Sequence, residues 1–117
     1  MPLIALDTSC EVAEAAKKQA LVAGLSRLVV EGTGKPEQYV MACVRDKVAM
    51  AMSGSAAPCA LVTVKAIGGL SKSANQGLAG KITQMLQREL DLPGDRVYIT
   101  FEELDAGHWA WKGKTFG

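Results

Sequence analysis

The sequence predicts an α+β fold: a doubled β-α-β unit forming one four-stranded sheet with two helices on one face. Three observations carry this expectation. Two segments repeat apolar residues at helical spacing, and each lies between short apolar, partly β-branched runs. Each helical segment is closed by a proline, and a valine four residues later (Val40 after Pro36, Val97 after Pro93) starts the following strand. The length, 117 residues, is that of a single domain spanning 1–117. Right-handed crossovers then make the two strands of each unit parallel.

The elements follow in order. Leu3 to Leu6 reads as the first strand, with Pro2 at its head, one of the few strand positions that tolerates proline. Thr8 and Glu11 have the spacing of a capping box. Leu21, Val22, Leu25, Leu28 and Val29 form one apolar helix face, stopped at Gly32, Gly34 and Pro36. Tyr39 to Val44 reads as a buried strand, Val48 to Met52 as a short apolar piece, and Ser53 to Pro58 as a loop. Cys59 to Ile67 is the clearest strand, with Leu61, Thr63 and Lys65 alternating against Val62, Val64 and Ala66, and Gly68-Gly69 ends it. Ser73 and Gln76 could box the second helix, whose apolar face is Leu78, Ile82, Met85, Leu86 and Leu90. Pro93-Gly94 breaks it, and Arg96 to Phe101 is the last strand. The strands read as apolar on both sides, so the sheet face without helices is expected to meet another copy of the chain.

Composition narrows the function. Net charge is +1 with both signs interspersed and no basic stripe, which argues against a nucleic-acid partner. No apolar run reaches membrane-spanning length, and Asp7 interrupts the N-terminal apolar stretch, so neither membrane insertion nor a signal peptide is expected and the default location is cytoplasmic. Cys10, Cys43 and Cys59 are odd in number and irregularly spaced, fitting reduced, packed thiols rather than a disulfide framework or zinc site.

Several short motifs then point one way: M-P at the start, G-K-P-E-Q-Y-V (34–40), S-G-S-A-A-P-C-A (53–60), A-I-G-G (66–69), D-R-V-Y-I (95–99), and the ending W-x-G-x-T-F-G from Trp111. In this order and spacing, the chain resembles the macrophage migration inhibitory factor and D-dopachrome tautomerase family of the tautomerase superfamily, nearly end to end. The resemblance implies a homotrimer whose sheets face a central axis, with pockets at the subunit interfaces. It implies a keto–enol tautomerase that needs no cofactor or metal and acts on small aromatic α-keto acids or enols such as phenylpyruvate and D-dopachrome. It leaves a cytokine-like alternative, a ligand of a cell-surface receptor secreted without a signal peptide and with catalysis secondary or vestigial, but the presence of Pro2, Lys35, Ile67 and Tyr98 together favours retained activity.

Site residues carry over one at a time. Once Met1 is removed, Pro2 becomes the free amine and the general base and acid; the plain reading is only a small second residue permitting that removal. An α-amino group has a pKa of about 8, and burial and a nearby cation both lower it, leaving neutral base near physiological pH. With Met1 attached, the Pro2 nitrogen is an amide and not basic, so native material is expected to be processed. Lys35 matches the pocket lysine that binds the substrate carboxylate, although a lysine after a helix C-terminus is favourable anyway. Ile67 matches a backbone N–H donor, with Gly68 leaving room for the ligand. Tyr98 matches a tyrosine from the neighbouring subunit that polarises the enolate oxygen. Tyr39 stands at the pocket mouth, and Trp111 and Phe116 are rim aromatics suited to a substrate ring. Thr100 replaces a frequent asparagine, and Trp109 stands near a smaller apolar residue, so the mouth is expected to be narrower or more aromatic. Cys59-Ala-Leu-Val62 lacks the second thiol of the C-A-L-C motif, so no thiol–disulfide exchange is expected there. His108 reads as a rim residue.

Overall fold

The computed structural model describes all 117 residues. Its sheet has four strands in the order β2-β1-β3-β4. These are β1 (Pro2–Thr8), β2 (Met41–Arg45), β3 (Ala60–Ala66) and β4 (Val97–Glu103), with α1 (Ala15–Thr33) and α2 (Lys72–Leu90) as the crossovers. β1 runs parallel to β2, β3 runs parallel to β4, and β1 and β3 are antiparallel neighbours at the centre. This is the doubled β-α-β unit the sequence predicts.

The register sorts the side chains. Ile4, Leu6, Val62, Val64 and Ala66 face the helices and are fully buried against Leu21, Leu25 and Val29 of α1 and Leu78, Ile82, Met85 and Leu86 of α2. The opposite face differs from the apolar surface expected. Its cross-strand rows are Met41–Leu3–Lys65–Glu102, Cys43–Ala5–Thr63–Thr100 and Arg45–Asp7–Leu61–Tyr98. Charged and apolar residues share it, and the Asp7 carboxylate is held below its usual range chiefly by its hydrogen bonds from Arg45.

Both expected capping boxes are corrected. Thr8 is the buried last residue of β1, and its hydroxyl donates to the Cys59 carbonyl at 2.9 Å, so it is spent on the sheet. α1 starts later, after Glu14, which makes no side-chain cap. The cap of α2 is Ser71, whose hydroxyl accepts from Ala74 N–H at 3.1 Å; Ser73 already lies inside the helix. Gly32 also lies inside α1, and the stop is Gly34 in the left-handed conformation. Gly32 is instead a contact residue, since a Cβ there would come within 2.5 Å of Leu78 Cγ and the two helices could not approach. The expected strand from Tyr39 begins at Met41, because Glu37–Tyr39 form a 3-10 turn after Pro36. Gly94–Arg96 form the same turn after Pro93, so the two halves repeat this entry into a strand. Val48 to Met52 adds no strand; only Met52 pairs, with Ser55, across a tight Ser53-Gly54 turn with positive φ at both residues.

That turn is stapled by one side chain. The Arg96 guanidinium donates to the carbonyls of Met52 (2.8 Å), Ala57 (2.8 Å), Ser55 (3.1 Å) and Pro58 (3.3 Å). Arg96→Met is expected to destabilise the protein by about 1–3 kcal/mol, because charged donors to the backbone are lost together. Urea titration checks this, and an unchanged midpoint would mean the turn holds itself.

A second tie fixes the stretch between β1 and α1. The Asp46 carboxylate accepts from Val12 N–H at 2.9 Å and from Lys18 Nζ at 3.0 Å. The Val12 bond, then the Lys18 bond, holds its pKa below the usual carboxylate range. The unfolded chain therefore takes up this proton first as pH falls. Asp46's contribution is complete above the usual carboxylate range and is lost as pH drops through its lowered folded value. Asp46→Asn should lower the melting temperature at neutral pH, with the gap to the parent protein closing in acid.

Candidate functional site

β1 is the central strand and also the start of the chain, so the sheet carries the N-terminus into the body of the protein. Pro2 is buried and pairs with Ala66, where β3 ends. Beside it opens a cavity of about 340 Å³ lined mainly by apolar and aromatic side chains, among them Pro2, Tyr39, Met41, Trp109, Trp111 and Phe116.

The C-terminal segment builds the outer wall. A 3-10 turn (Ala106–His108) leads into a short hairpin of β5 (Ala110–Trp111) and β6 (Lys114–Thr115). Lys112 and Gly113 between them both have positive φ, the geometry a two-residue hairpin turn demands. The hairpin is tied back by Phe116 N–H donating to the carbonyls of Trp109 (3.0 Å) and Ala106 (3.1 Å). Trp111 meets Tyr39 edge to face, with ring centroids 5.7 Å apart and planes at 89°. Lys112 Nζ lies 4.4 Å from the Trp111 ring centroid, a cation on the outside of the wall.

Lys35 and Ile67 stand where β3 ends. Gly34 closes α1 and turns the chain, the Thr33 hydroxyl accepts from Lys35 N–H at 3.2 Å, and Lys35 Nζ donates to the Ile67 carbonyl at 2.9 Å. The terminal ammonium, here on Met1, is held below its ordinary pKa, first by burial and second by the charge of Lys35. Both influences favour a neutral amine. The site can therefore present an uncharged amine, a fixed cation and an aromatic-walled cavity within one small region, a combination suited to a flat anionic ligand.

The structure brings together Pro2, Tyr39, Trp109, Trp111 and Phe116 around the cavity. Lys35 and Ile67 stand outside its lining, joined to each other past the end of β3, with the charge of Lys35 felt at the terminal amine. Trp109 is half-buried and separates this cavity from a second cleft of about 230 Å³, where exposed His108 stands with Lys65 and Leu104. Tyr98 and Thr100 lie elsewhere. Tyr98 is 66% exposed and pairs with Leu61, at the other end of β3 from the Pro2–Ala66 pair. Five strand residues span about 16 Å, so this Tyr98 cannot reach its own chain's cavity. Thr100 pairs with Thr63 in the middle of the open face.

Sequence reasoning missed Met41, Gln38, Val40 and Ala110 in the wall. The sequence places Met41 within a buried strand, but it is 68% exposed beside Leu3. Its signal was present in the alternation: Ala42 and Val44 take the helix side, which turns Met41 outward.

A family model described as macrophage migration inhibitory factor (MIF) matches residues 1–117. The chain is 35% identical over 117 residues to a macrophage migration inhibitory factor homolog of Brugia malayi, covering all of both chains. It is 30% identical over 116 residues to the macrophage migration inhibitory factor of Rattus norvegicus, covering 99% of each. Among solved structures it is similar to the homologue from Prochlorococcus marinus, with TM-score 0.90, 38% identity and coverage of 98% of this chain and 99% of that one. The Toxoplasma gondii protein follows, with TM-score 0.89, 30% identity and coverage of 97% and 99%. With matching motifs, fold and end-to-end coverage, the chain belongs to the macrophage migration inhibitory factor family.

Proposed function

We propose that the protein is a keto–enol tautomerase of small aromatic α-keto acids, of the phenylpyruvate or dopachrome type, with the Pro2 amine as base and acid. The observation that carries this reading is a buried Pro2 at the end of the central strand, against an aromatic cavity, where burial and Lys35 both favour a neutral terminal amine. Removal of Met1 frees the Pro2 nitrogen one residue deeper in the same surroundings.

The reaction needs little else. Lys35 pairs with the substrate carboxylate, while Tyr39, Trp109, Trp111 and Phe116 hold the ring. The Pro2 nitrogen takes a proton from the carbon beside the keto group. That C–H electron pair becomes the new C=C bond, and the carbonyl π pair moves onto oxygen. The proton carried by the Pro2 nitrogen is then passed to that oxygen, directly or through solvent, which completes the enol and returns the amine to its neutral form. The reverse sequence restores the ketone.

Pro2→Gly keeps an amine but loses the rigid ring and its geometry. With Met1 removal verified by mass, the parent should tautomerise phenylpyruvate and the variant should be slower by about 10²-fold or more, the scale of general-base catalysis. Activity should fall as pH drops below the lowered amine pKa, because the cation cannot accept a proton. An inactive processed parent would end this reading. A receptor ligand, supported by the relatives named macrophage migration inhibitory factor, would then lead.

The remaining pocket group is Tyr98 from a neighbouring subunit of a homotrimer. This accounts for an exposed tyrosine far from its own Pro2, on a sheet face that the helices leave open. Mixing unfolded Pro2→Gly and Tyr98→Phe chains and refolding them together tests it. Some mixed interfaces would pair an intact Pro2 with an intact Tyr98, so activity should exceed the sum of the two variants alone. A sum with no gain would mean that Tyr98 works within its own chain or not at all.

A further inference from the structure

The strand that ends at Ile67 is followed by two glycines, and the structure uses them differently. Both have left-handed backbone, with φ of +72° at Gly68 and +83° at Gly69. A Cβ on Gly68 would meet nothing within 4 Å. A Cβ on Gly69 would stand 3.0 Å from Lys35 Cε, 3.8 Å from Lys35 Nζ and 3.9 Å from Thr33 Cβ. Gly68 is therefore required by conformation alone, whereas Gly69 is required by conformation and by the lysine lying across it.

We propose that Gly69 is a positioning residue for Lys35: the space left by its missing side chain seats the lysine stem and aims the ammonium at the end of β3 beside Pro2. Three contacts define that aim. The Thr33 hydroxyl holds the Lys35 backbone, the Ile67 carbonyl accepts from Nζ at 2.9 Å, and Gly69 leaves room for Cε between them. Lysine is a flexible point charge on a long stem, so its direction has to be supplied by its surroundings. A side chain at 69 would make the Lys35 stem give way by a few tenths of an ångström, enough to disturb the aim of Nζ at the Ile67 carbonyl. It would also add backbone strain at φ +83° that acts whether or not the lysine is present. The inference rests on Lys35 as the carboxylate-binding group and adds what holds it there.

The test uses processed protein and 3-phenylpropionate, which has the ring and carboxylate of phenylpyruvate without its keto group. Binding is read from the fluorescence of Trp109 and Trp111, which needs no catalysis. Lys35→Met should weaken binding; if the parent does not bind or this variant binds as well, the reading of Lys35 fails and the proposal with it. Given that result, Gly69→Ala should weaken binding roughly tenfold, the loss of one charge-assisted contact. In turnover it should raise KM for phenylpyruvate more than it lowers kcat. In the Lys35→Met background the same change should alter binding less than twofold, because a seat without its lysine has nothing to hold. Equal losses in both backgrounds, or no loss in either, would overturn the proposal. Gly69→Asn serves where the alanine variant does not fold, since asparagine tolerates left-handed backbone better. In the unsubstituted protein, a nuclear Overhauser contact between the Gly69 α-protons and the Lys35 ε-protons is expected, and its absence would overturn the proposal without any variant.

Discussion

The constraint on which the rest of the structure depends is the placement of the first strand at the centre of the sheet. β1 is hydrogen-bonded on both edges, to β2 in parallel and to β3 in antiparallel register. A chain terminus usually lies loose at a surface. Here it is tied into two ladders, and Pro2 is buried as a consequence. Proline fits because it opens the strand, where the missing N–H costs least. The terminal ammonium on Met1, one residue before it, is held below its ordinary pKa by burial and then by the charge of Lys35, so the placement that secures the strand also shapes the electrostatics at its head.

The other elements answer to that strand. The helices cover one face with an aliphatic layer, and Gly32 lets them approach closely enough to seal it. The 3-10 turns after Pro36 and Pro93 bring each crossover back at the right height to begin β2 and β4. Gly34 and Thr33 turn the chain out of α1 so that Lys35 arrives beside the end of β3. The C-terminal hairpin then folds over the start of β1, with Tyr39 and Trp111 locked edge to face. The cavity is thus assembled from the first residues of the chain, its last ones and the exit of a helix.

How much of this was legible in the sequence depended on the range of the interactions. The strand and helix order, the parallel pairs and the alternation of Cys59 to Ile67 follow from local period, and they appear as expected. The capping boxes failed because spacing cannot show whether a hydroxyl is free: Thr8 is consumed by Cys59, across the sheet. Gly32 failed for a related reason, since a glycine that ends a helix and one that admits a neighbouring Leu78 look alike in one dimension. The open sheet face read as apolar, yet Asp7, Arg45, Lys65 and Glu102 share it, because cross-strand neighbours are chosen by register.

The sequence by itself determined the doubled β-α-β plan, the apolar faces and, through its motifs, the candidate residues Pro2, Lys35, Tyr39, Trp109, Trp111 and Phe116. These are encoded by period, by turn chemistry and by residue type, all of which are local. Only the tertiary structure decided which of them meet. It gathered these residues at one end of β1 and left Tyr98 and Thr100 apart on β4. It also gave Gly69 a neighbour that no spacing announces. The physical reason is that a site is made of distances between chain-remote groups, and strand register and helix packing fix those distances only when the whole core closes.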